Sequence, residues 1–212
     1  MKILVYRQNH SYENCNKVIF DGVGDYDIPN IFPTSSEEVD IKNCISFNYA
    51  KTCKAPESCG IHFFLDDYQF NRLWNKPDKY LDMLKKFKFV CSPDFSTYVD
   101  FPKVIQIYNH YRKHWLAAYW QQNDITVIPT ISWSDTSSFE WCFDGEPVGG
   151  IVAVSSTGTQ MNAKARQLFL DGYNEMLSRL TPECILFYGI IPDGCVGNII
   201  PITRFSERFN KE

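Results

Sequence analysis

The chain has 212 residues, of which 44% are hydrophobic and 22% charged, and its formal net charge is −4. These values fit one globular domain with its own core and exclude a disordered chain. The acidic balance disfavours a protein that holds duplex DNA through its phosphates, because such binding needs a basic face. We find no signal peptide and no stretch of transmembrane length, so we expect a cytoplasmic protein without a membrane partner.

The first forty residues read as an irregular arm or cap, because glycine and proline punctuate the stretch at 21–29. A regular α/β domain is predicted from residue 41 to residue 212. The eight cysteines include no C-x-x-C pair. Cys44, Cys53 and Cys59 cluster, but their spacing matches no common metal site, so we predict free thiols in a reducing compartment.

Apolar runs and helical patterns alternate along this domain. The predicted strands cover residues 44–47, 60–65, 87–91, 125–131, 150–154, 184–188 and 199–203. The predicted helices cover residues 68–86 with a break at Pro77, a segment after Pro102 that Asp100 caps, about 136–143, and about 162–180.

This alternation predicts a parallel sheet with right-handed crossovers. Two architectures fit, a small or incomplete TIM-like (β/α) barrel and an open doubly wound sheet. We prefer the barrel because every strand delivers a polar residue or a glycine to the same end, whereas an open sheet concentrates its site at one switch point. A full barrel needs about 250 residues, so an incomplete one is expected.

The residues after the strands form the predicted site, because ligands bind at the carboxyl ends of parallel strands. Asp67, Asp94 and Asp135 are the catalytic candidates, and Asp67 with Asp94 is the preferred pair. Two such carboxylates could share acid and base roles or hold Mg²⁺ or Mn²⁺. The ligand-binding candidates are Asp66, Tyr68, Ser96, Trp133, Ser155, Thr157, Gly158 and Tyr188.

Each of these residues also has a purely structural interpretation. Aspartate and serine after a strand are common turn and N-cap residues, which explains Asp135 better than Asp94. The 155–159 loop precedes a helix and could cradle a phosphate, although it lacks the lysine of a P-loop. The aromatic candidates could stack on a base or simply pack in the core.

The segment HYRKH at residues 110–114 places His110 and His114 four apart on one helix. That spacing can hold zinc, but no third ligand is evident and the metalloprotease motif is absent. We therefore predict a surface pair of histidines. Arg112 and Lys113 are predicted to lie on the solvated side of the helix. His62 is predicted to be a core residue.

Five segments resemble one family, described only as domain of unknown function 4417. They are HFFLDDYQF at 62–70, SPDFS at 92–96, IYNHYRKHW at 107–115, PTISWSD at 129–135 and VSSTGTQ at 154–160. The resemblance covers about residues 41–190 and implies a phage or mobile-element protein without a transferable activity. The order of strand-end segments is also similar to that of tRNA-guanine transglycosylases, but their zinc-binding cysteines are missing here.

We expect an enzyme that acts on a nucleotide or nucleobase through the strand-end aspartates. The alternative is a non-catalytic protein that sequesters a nucleotide signal of host defence or engages a host protein. A replication accessory protein is a third hypothesis, which the acidic charge disfavours.

Overall fold

A computed structural model describes residues 11–12, 17–37, 39, 41 and 43–202. The first ten residues of the predicted arm lie outside this part of the chain, as does the last residue of the predicted 199–203 strand. No helix in these described residues is both long and apolar enough to cross a membrane.

Two short antiparallel hairpins precede the main body. The first pairs β1 (Ser11–Tyr12) with β2 (Lys17–Val18), and the second pairs β3 (Gly22–Val23) with β4 (Ile28–Pro29). The second hairpin leads into residues 31–37, which lie against the main body. There the Thr34 carbonyl accepts a hydrogen bond of 2.8 Å from the Ile151 amide.

The main body contains two parallel sheets. The first has four strands and the second has three. In each sheet, strands that are neighbours in the sheet are also consecutive along the chain. The strands of the first sheet are β5 (Cys44–Ser46), β6 (Gly60–His62), β7 (Phe89–Cys91) and β8 (Val127–Ile128). The strands of the second sheet are β9 (Ile151–Ser155), β10 (Cys184–Tyr188) and β11 (Ile199–Ile202).

Residues 129–131, just after β8, connect the two sheets. Thr130 forms a parallel bridge with Ala153 of β9. The Ala153 amide donates to the Pro129 carbonyl and its carbonyl accepts from the Ile131 amide, both at 2.8 Å. The seven parallel strands therefore follow one another in chain order across the junction.

The predicted α/β class with parallel sheets is confirmed, but a TIM-like barrel is not formed by the described strands, because the sheets do not close: no hydrogen-bonded pairing joins β11 to β5. One buried apolar cluster nevertheless draws on six of the strands and on Phe64 after β6. Its members are Val39, Ile41, Cys44, Phe64, Phe89, Cys91, Ile128, Ile151, Ala153, Cys184, Leu186 and Ile202.

Four α-helices complete the body: α1 (Asn71–Asn75), α2 (Leu81–Leu84), α3 (Lys103–Gln122) and α4 (Ala163–Leu180). The predicted break at Pro77 is confirmed, because a 3₁₀ turn that begins there separates α1 from α2. The predicted helix near 136 is a 3₁₀ turn, Thr136–Glu140. The predicted Asp100 cap is wrong: Pro102 is the N-cap of α3, with no side-chain cap.

The buried side of α3 includes charged and polar side chains. Val104 is 69% exposed, whereas Lys113 and His114 are fully buried. The predictions of a surface histidine pair and of a solvated Lys113 are therefore wrong. The second hairpin packs on this helix, and Trp115 donates from its indole to the Val18 carbonyl of the first hairpin at 2.7 Å. A polar stripe can be buried in such a helix when its groups find partners.

Gly60 leaves room for the ring of its cross-strand neighbour Phe89, which is fully buried. A methyl group at this position would overlap that ring. We expect Gly60→Ala to lower the free energy of unfolding by about 1–3 kcal/mol, the usual cost of overpacking a core. Urea unfolding measures this change, and Phe89→Leu in the Gly60→Ala background should recover part of it. Equal stability of Gly60→Ala and the native protein would contradict the assigned packing.

Candidate functional site

A cleft of about 470 Å³ opens at the carboxyl ends of the parallel strands, which is the predicted position. Its volume lies within the range of small-molecule sites. It is lined by segments that follow β6, β7, β8 and β9 and by the first turns of α4. Seven of the site residues predicted from the sequence line this cleft: Asp66, Asp94, Ser96, Trp133, Ser155, Thr157 and Gly158.

Asp94 is a partly exposed carboxylate in the wall of this cleft. Among the described residues, none hydrogen-bonds its side chain. Burial raises the pKa of the Asp94 carboxyl to about 7; the positive charge of Lys113 opposes this shift, and the negative charge of Asp67 contributes to it. The group can therefore change its protonation state near neutral pH.

Asp67 has a different position from Asp94, although the two were predicted as a pair. Its carboxylate accepts hydrogen bonds from the Ser96 hydroxyl at 2.8 Å and from the Ser96 amide at 3.2 Å. It does not line the cleft. Asp67 therefore holds the 94–96 loop, which carries Asp94, through its hydrogen bonds to Ser96.

Asp135 caps the 3₁₀ turn that follows it, as the structural interpretation of the sequence predicted. Its carboxylate accepts from the Ser137 amide at 2.9 Å and from the Ser137 hydroxyl at 2.7 Å. It lies outside the lining of the cleft. The Asp135 carboxylate therefore stabilises this turn.

Of the aromatic candidates, Trp133 lines the cleft, whereas Tyr188 and Tyr68 do not. Trp133 packs against Phe169 with ring centroids 5.4 Å apart and donates to the Leu168 carbonyl at 3.2 Å. Tyr188 stacks on Phe64, which forms part of the cleft wall. Tyr68 is 78% exposed beyond the lining.

The 155–159 loop lines the cleft, but several of its polar groups already have partners within the loop or in neighbouring strands. The Thr157 amide donates to the Ser155 hydroxyl at 3.1 Å, and the Thr159 amide donates to the Ser156 carbonyl at 3.1 Å. Helix α4 begins only at Ala163, and its N-cap Asn162 accepts from the Ala165 amide. Within the described chain, the cleft lining also contains no lysine, arginine or histidine. The cleft is therefore better suited to a neutral or cationic group than to a phosphate.

A buried polar network lies on the inner side of α3, and the sequence did not predict it. Lys113 donates to Glu146 at 2.6 Å and to the Thr130 carbonyl at 2.8 Å. Burial alone would raise the pKa of Glu146, but the charges of Lys113 and His114 outweigh it and hold that pKa below its ordinary value. Burial lowers the pKa of His110 well below its ordinary value, and neighbouring His114 and Lys113 lower it further. The i, i+3, i+4 spacing of residues 110, 113 and 114 was the available signal, since it places all three on one face.

The cysteine trio does not converge. Cys44 is buried in the apolar cluster between the sheets, while Cys53 and Cys59 lie partly exposed in the turns after β5. Burial raises the pKa of the Cys53 thiol, and the nearby Cys59 adds to the shift. Among the residues that the structure describes, no group of close metal ligands includes a cysteine.

Sequence comparison assigns the family. The chain matches a family described as Domain of unknown function (DUF4417) over residues 20–206. The chain belongs to this family. The Gene 1 protein of Mycobacterium phage L5 is 36% identical over 173 residues, which are 82% of this chain and 75% of the relative. The Gene 1 protein of Mycobacterium phage D29 is 35% identical over 175 residues, which are 82% of this chain and 64% of that relative. No solved structure matches the chain.

The raised pKa of Asp94 has a consequence for stability. Between the ordinary pKa of 3.8 and about 7, the folded state holds a proton that the unfolded state has lost, so stability falls as pH rises through this window. We expect Asp94→Asn to match the native protein below pH ~4 and to exceed its unfolding free energy above pH ~7, by on the order of 3 kcal/mol. Urea unfolding across this range tests the difference, with Asp82→Asn on the exposed side of α2 as the control. A pH-independent gap between Asp94→Asn and the native protein would contradict it.

Gly172 of α4 makes the position of Trp133 possible, because a methyl group there would overlap the indole ring. Alanine normally stabilises a helix relative to glycine by roughly 1 kcal/mol. We expect the opposite sign for Gly172→Ala, a loss of about 1–3 kcal/mol, together with greater acrylamide quenching of Trp133 fluorescence. Ser178→Ala, on the exposed face of the same helix, is the matched control. A stabilising effect of Gly172→Ala would show that the ring does not pack there.

Proposed function

We propose that this protein is an enzyme that performs acid–base chemistry on a nucleobase, with Asp94 as the group that exchanges the proton. The observation that carries the proposal is a carboxylate without a hydrogen-bond partner among the described residues, in the wall of an aromatic-lined cleft. A general acid or base works best when its pKa lies near the operating pH, and burial brings Asp94 to that range.

The chemistry of the lining supports a base as the group that is bound. Phe64, Tyr98, Trp133 and Phe169 offer ring faces or edges to a planar ligand. Asp66 and Asp94 can accept hydrogen bonds from an exocyclic amine, the contact by which carboxylates select cytosine. Because no cationic side chain among the described residues lines the cleft, phosphates of a nucleotide substrate would remain outside it.

The remaining predicted residues take supporting roles in this proposal. Asp67 positions the 94–96 loop through Ser96, and Asp135 positions the segment that carries Trp133 through its turn. Mg²⁺ or Mn²⁺ stays a proposal for the carboxylates that face the cleft. The arrangement of the strands supports an incomplete barrel, since one apolar cluster draws on six parallel strands that follow one another in chain order.

The second candidate function is binding without catalysis, in which the same cleft sequesters a nucleotide signal of host defence. Its support is the similarity to two phage proteins together with a cleft whose aromatic rings can hold a base unaltered. Engagement of a host protein is a further form of this candidate. Tyr98 and Val99, which lie at the edge of the cleft and are more than half exposed, provide its apolar contact surface.

Mass spectrometry of a mixed substrate pool separates these functions. The purified protein is incubated with nucleobases, nucleosides, nucleotides, cyclic dinucleotides and NAD-derived signals in the presence of Mg²⁺ and Mn²⁺, and the solution and protein fractions are analysed. We expect one compound to be converted, and the mass difference names the reaction. Asp94→Asn should then lower turnover by about 10²–10⁴-fold, the usual contribution of a general acid or base.

The control for that variant is Asp82→Asn, which should retain the full rate. An unchanged rate in folded Asp94→Asn would remove Asp94 from the mechanism. A pool that stays chemically unchanged would exclude catalysis on these compounds. In that case a compound enriched with the protein would establish sequestration, and the absence of any enriched compound would direct the search to a macromolecular partner.

A further inference from the structure

Three buried side chains converge on the inner side of α3 and do not line the cleft. His110 and His114 lie one turn apart on the helix, and Glu146 reaches them from the loop after the 3₁₀ turn Thr136–Glu140. One ligand atom from each lies within 4.8 Å of the other two. All three are buried, so these atoms meet in a place that water enters poorly.

The outer nitrogen of each histidine is held by a backbone carbonyl. His110 Nε2 lies 3.0 Å from the Asp144 carbonyl, and His114 Nδ1 lies 2.8 Å from the Pro29 carbonyl. Since a carbonyl only accepts, each of these nitrogens carries the proton. When each ring is neutral, His110 Nδ1 and His114 Nε2 carry the lone pairs, which is how histidine ligands of metals are usually oriented.

Glu146 supplies an unsatisfied oxygen at the same place. Its Oε1 accepts from Lys113 at 2.6 Å, but its Oε2 is buried and has no hydrogen-bond partner among the described residues. His114 Nε2 faces Oε1 at 3.0 Å. A buried acceptor without a partner is unfavourable, and His114 Nε2 can donate to Oε1 only when its ring is doubly protonated. A cation that binds all three side chains gives Oε2 a partner and needs no second proton on His114.

We propose that His110, His114 and Glu146 bind one divalent transition-metal ion. Two imidazole nitrogens and one carboxylate match Zn²⁺ first, whereas Mg²⁺ and Ca²⁺ prefer oxygen ligands alone. The affinity order of divalent metals also favours Zn²⁺ over Mn²⁺ and Fe²⁺ at such a set.

The positive charge of Lys113 lies close to the proposed site and would repel a bound cation, so the direction of its hydrogen bonds is important. It donates to Oε1 and to the Thr130 carbonyl, which directs the ammonium away from the unpartnered Oε2. The competing arrangement is a metal-free ion network in which a doubly protonated His114 bridges Glu146 and Pro29. The metal content of the protein distinguishes these two arrangements, and neither of them depends on a ligand in the cleft.

A metal at this position would join three distant segments. His114 belongs to α3 and contacts Pro29 of the second hairpin, while Glu146 follows Gly145, whose carbonyl accepts from the Ile31 amide at 2.9 Å. Gly145 has a positive φ of 74°, and a methyl group there would overlap the Pro29 carbonyl and crowd the His114 ring. The ion would therefore hold the hairpin and the 143–146 loop on the helix.

Metal analysis of the full chain tests the proposal. The protein is dialysed against Zn²⁺, freed of excess metal, and analysed by inductively coupled plasma mass spectrometry. We expect about one zinc per chain and a melting temperature that falls when a chelator removes the metal, because the binding energy of a buried ion stabilises the fold. Less than about 0.1 zinc per chain would overturn the proposal in favour of the metal-free network.

The ligands are tested by volume-conserving variants. His114→Gln and Glu146→Gln should each lose the zinc, whereas His62→Gln, a buried histidine elsewhere, and the double variant Cys53→Ser with Cys59→Ser should retain it. Zinc lost from the cysteine variant but kept by His114→Gln would overturn the assignment. If a ligand variant does not fold, X-ray absorption of the zinc-loaded native protein decides: a nitrogen and oxygen shell supports the site, and sulfur ligands contradict it.

Discussion

The Lys113 ammonium is the constraint on which the arrangement of the molecule depends. It reaches from the middle of α3 to Glu146 and to the Thr130 carbonyl, and Thr130 is the residue that bridges the two parallel sheets. Helix, loop and sheet junction therefore share one buried charge. Removing one partner of such a pair costs about 3–5 kcal/mol, because the other charge stays buried without compensation. The sequence tolerates the network only because each group meets a partner from a different segment.

The cleft, by contrast, is lined by carboxylates and aromatic rings. Ser92 bonds Thr130 through both its hydroxyl and its carbonyl at 2.7 Å, and this pair aligns the strand ends from which the 94–96 loop and Trp133 extend. Asp66 and Asp94 line the cleft, whereas no lysine, arginine or histidine among the described residues does. The cleft thereby becomes acidic and aromatic, which favours a base or an amine over a phosphate.

Membership of the family places the chain beside phage proteins but supplies no chemistry. The relatives share about a third of their residues with it over most of its length, so the fold extends to them as well. Their printed names assign no reaction. Any activity must therefore be argued from the side chains that the fold brings together, because a fold alone does not define a function.

Local patterns in the sequence determined the class of the fold and the position of the cleft. Alternating apolar runs and amphipathic helices predicted parallel strands, and the carboxyl ends of those strands do carry the cleft with Asp66, Asp94, Ser96 and Trp133. These features depend on neighbours in the chain and on a general rule of parallel sheets, so they can be read from the order of residues.

Tertiary structure alone decided which polar residues became functional candidates. Asp67 and Asp94 look equivalent after their strands, yet one is held by Ser96 and the other faces the cleft without a partner among the described residues. The segment at 110–114 reads as a solvated helix face, but the hairpin and Glu146 cover it. Burial and pairing depend on segments that are 30 to 90 residues apart, and no local pattern encodes which of them will meet. The sequence therefore determined where chemistry can occur, and the packing of distant segments decided which groups can perform it.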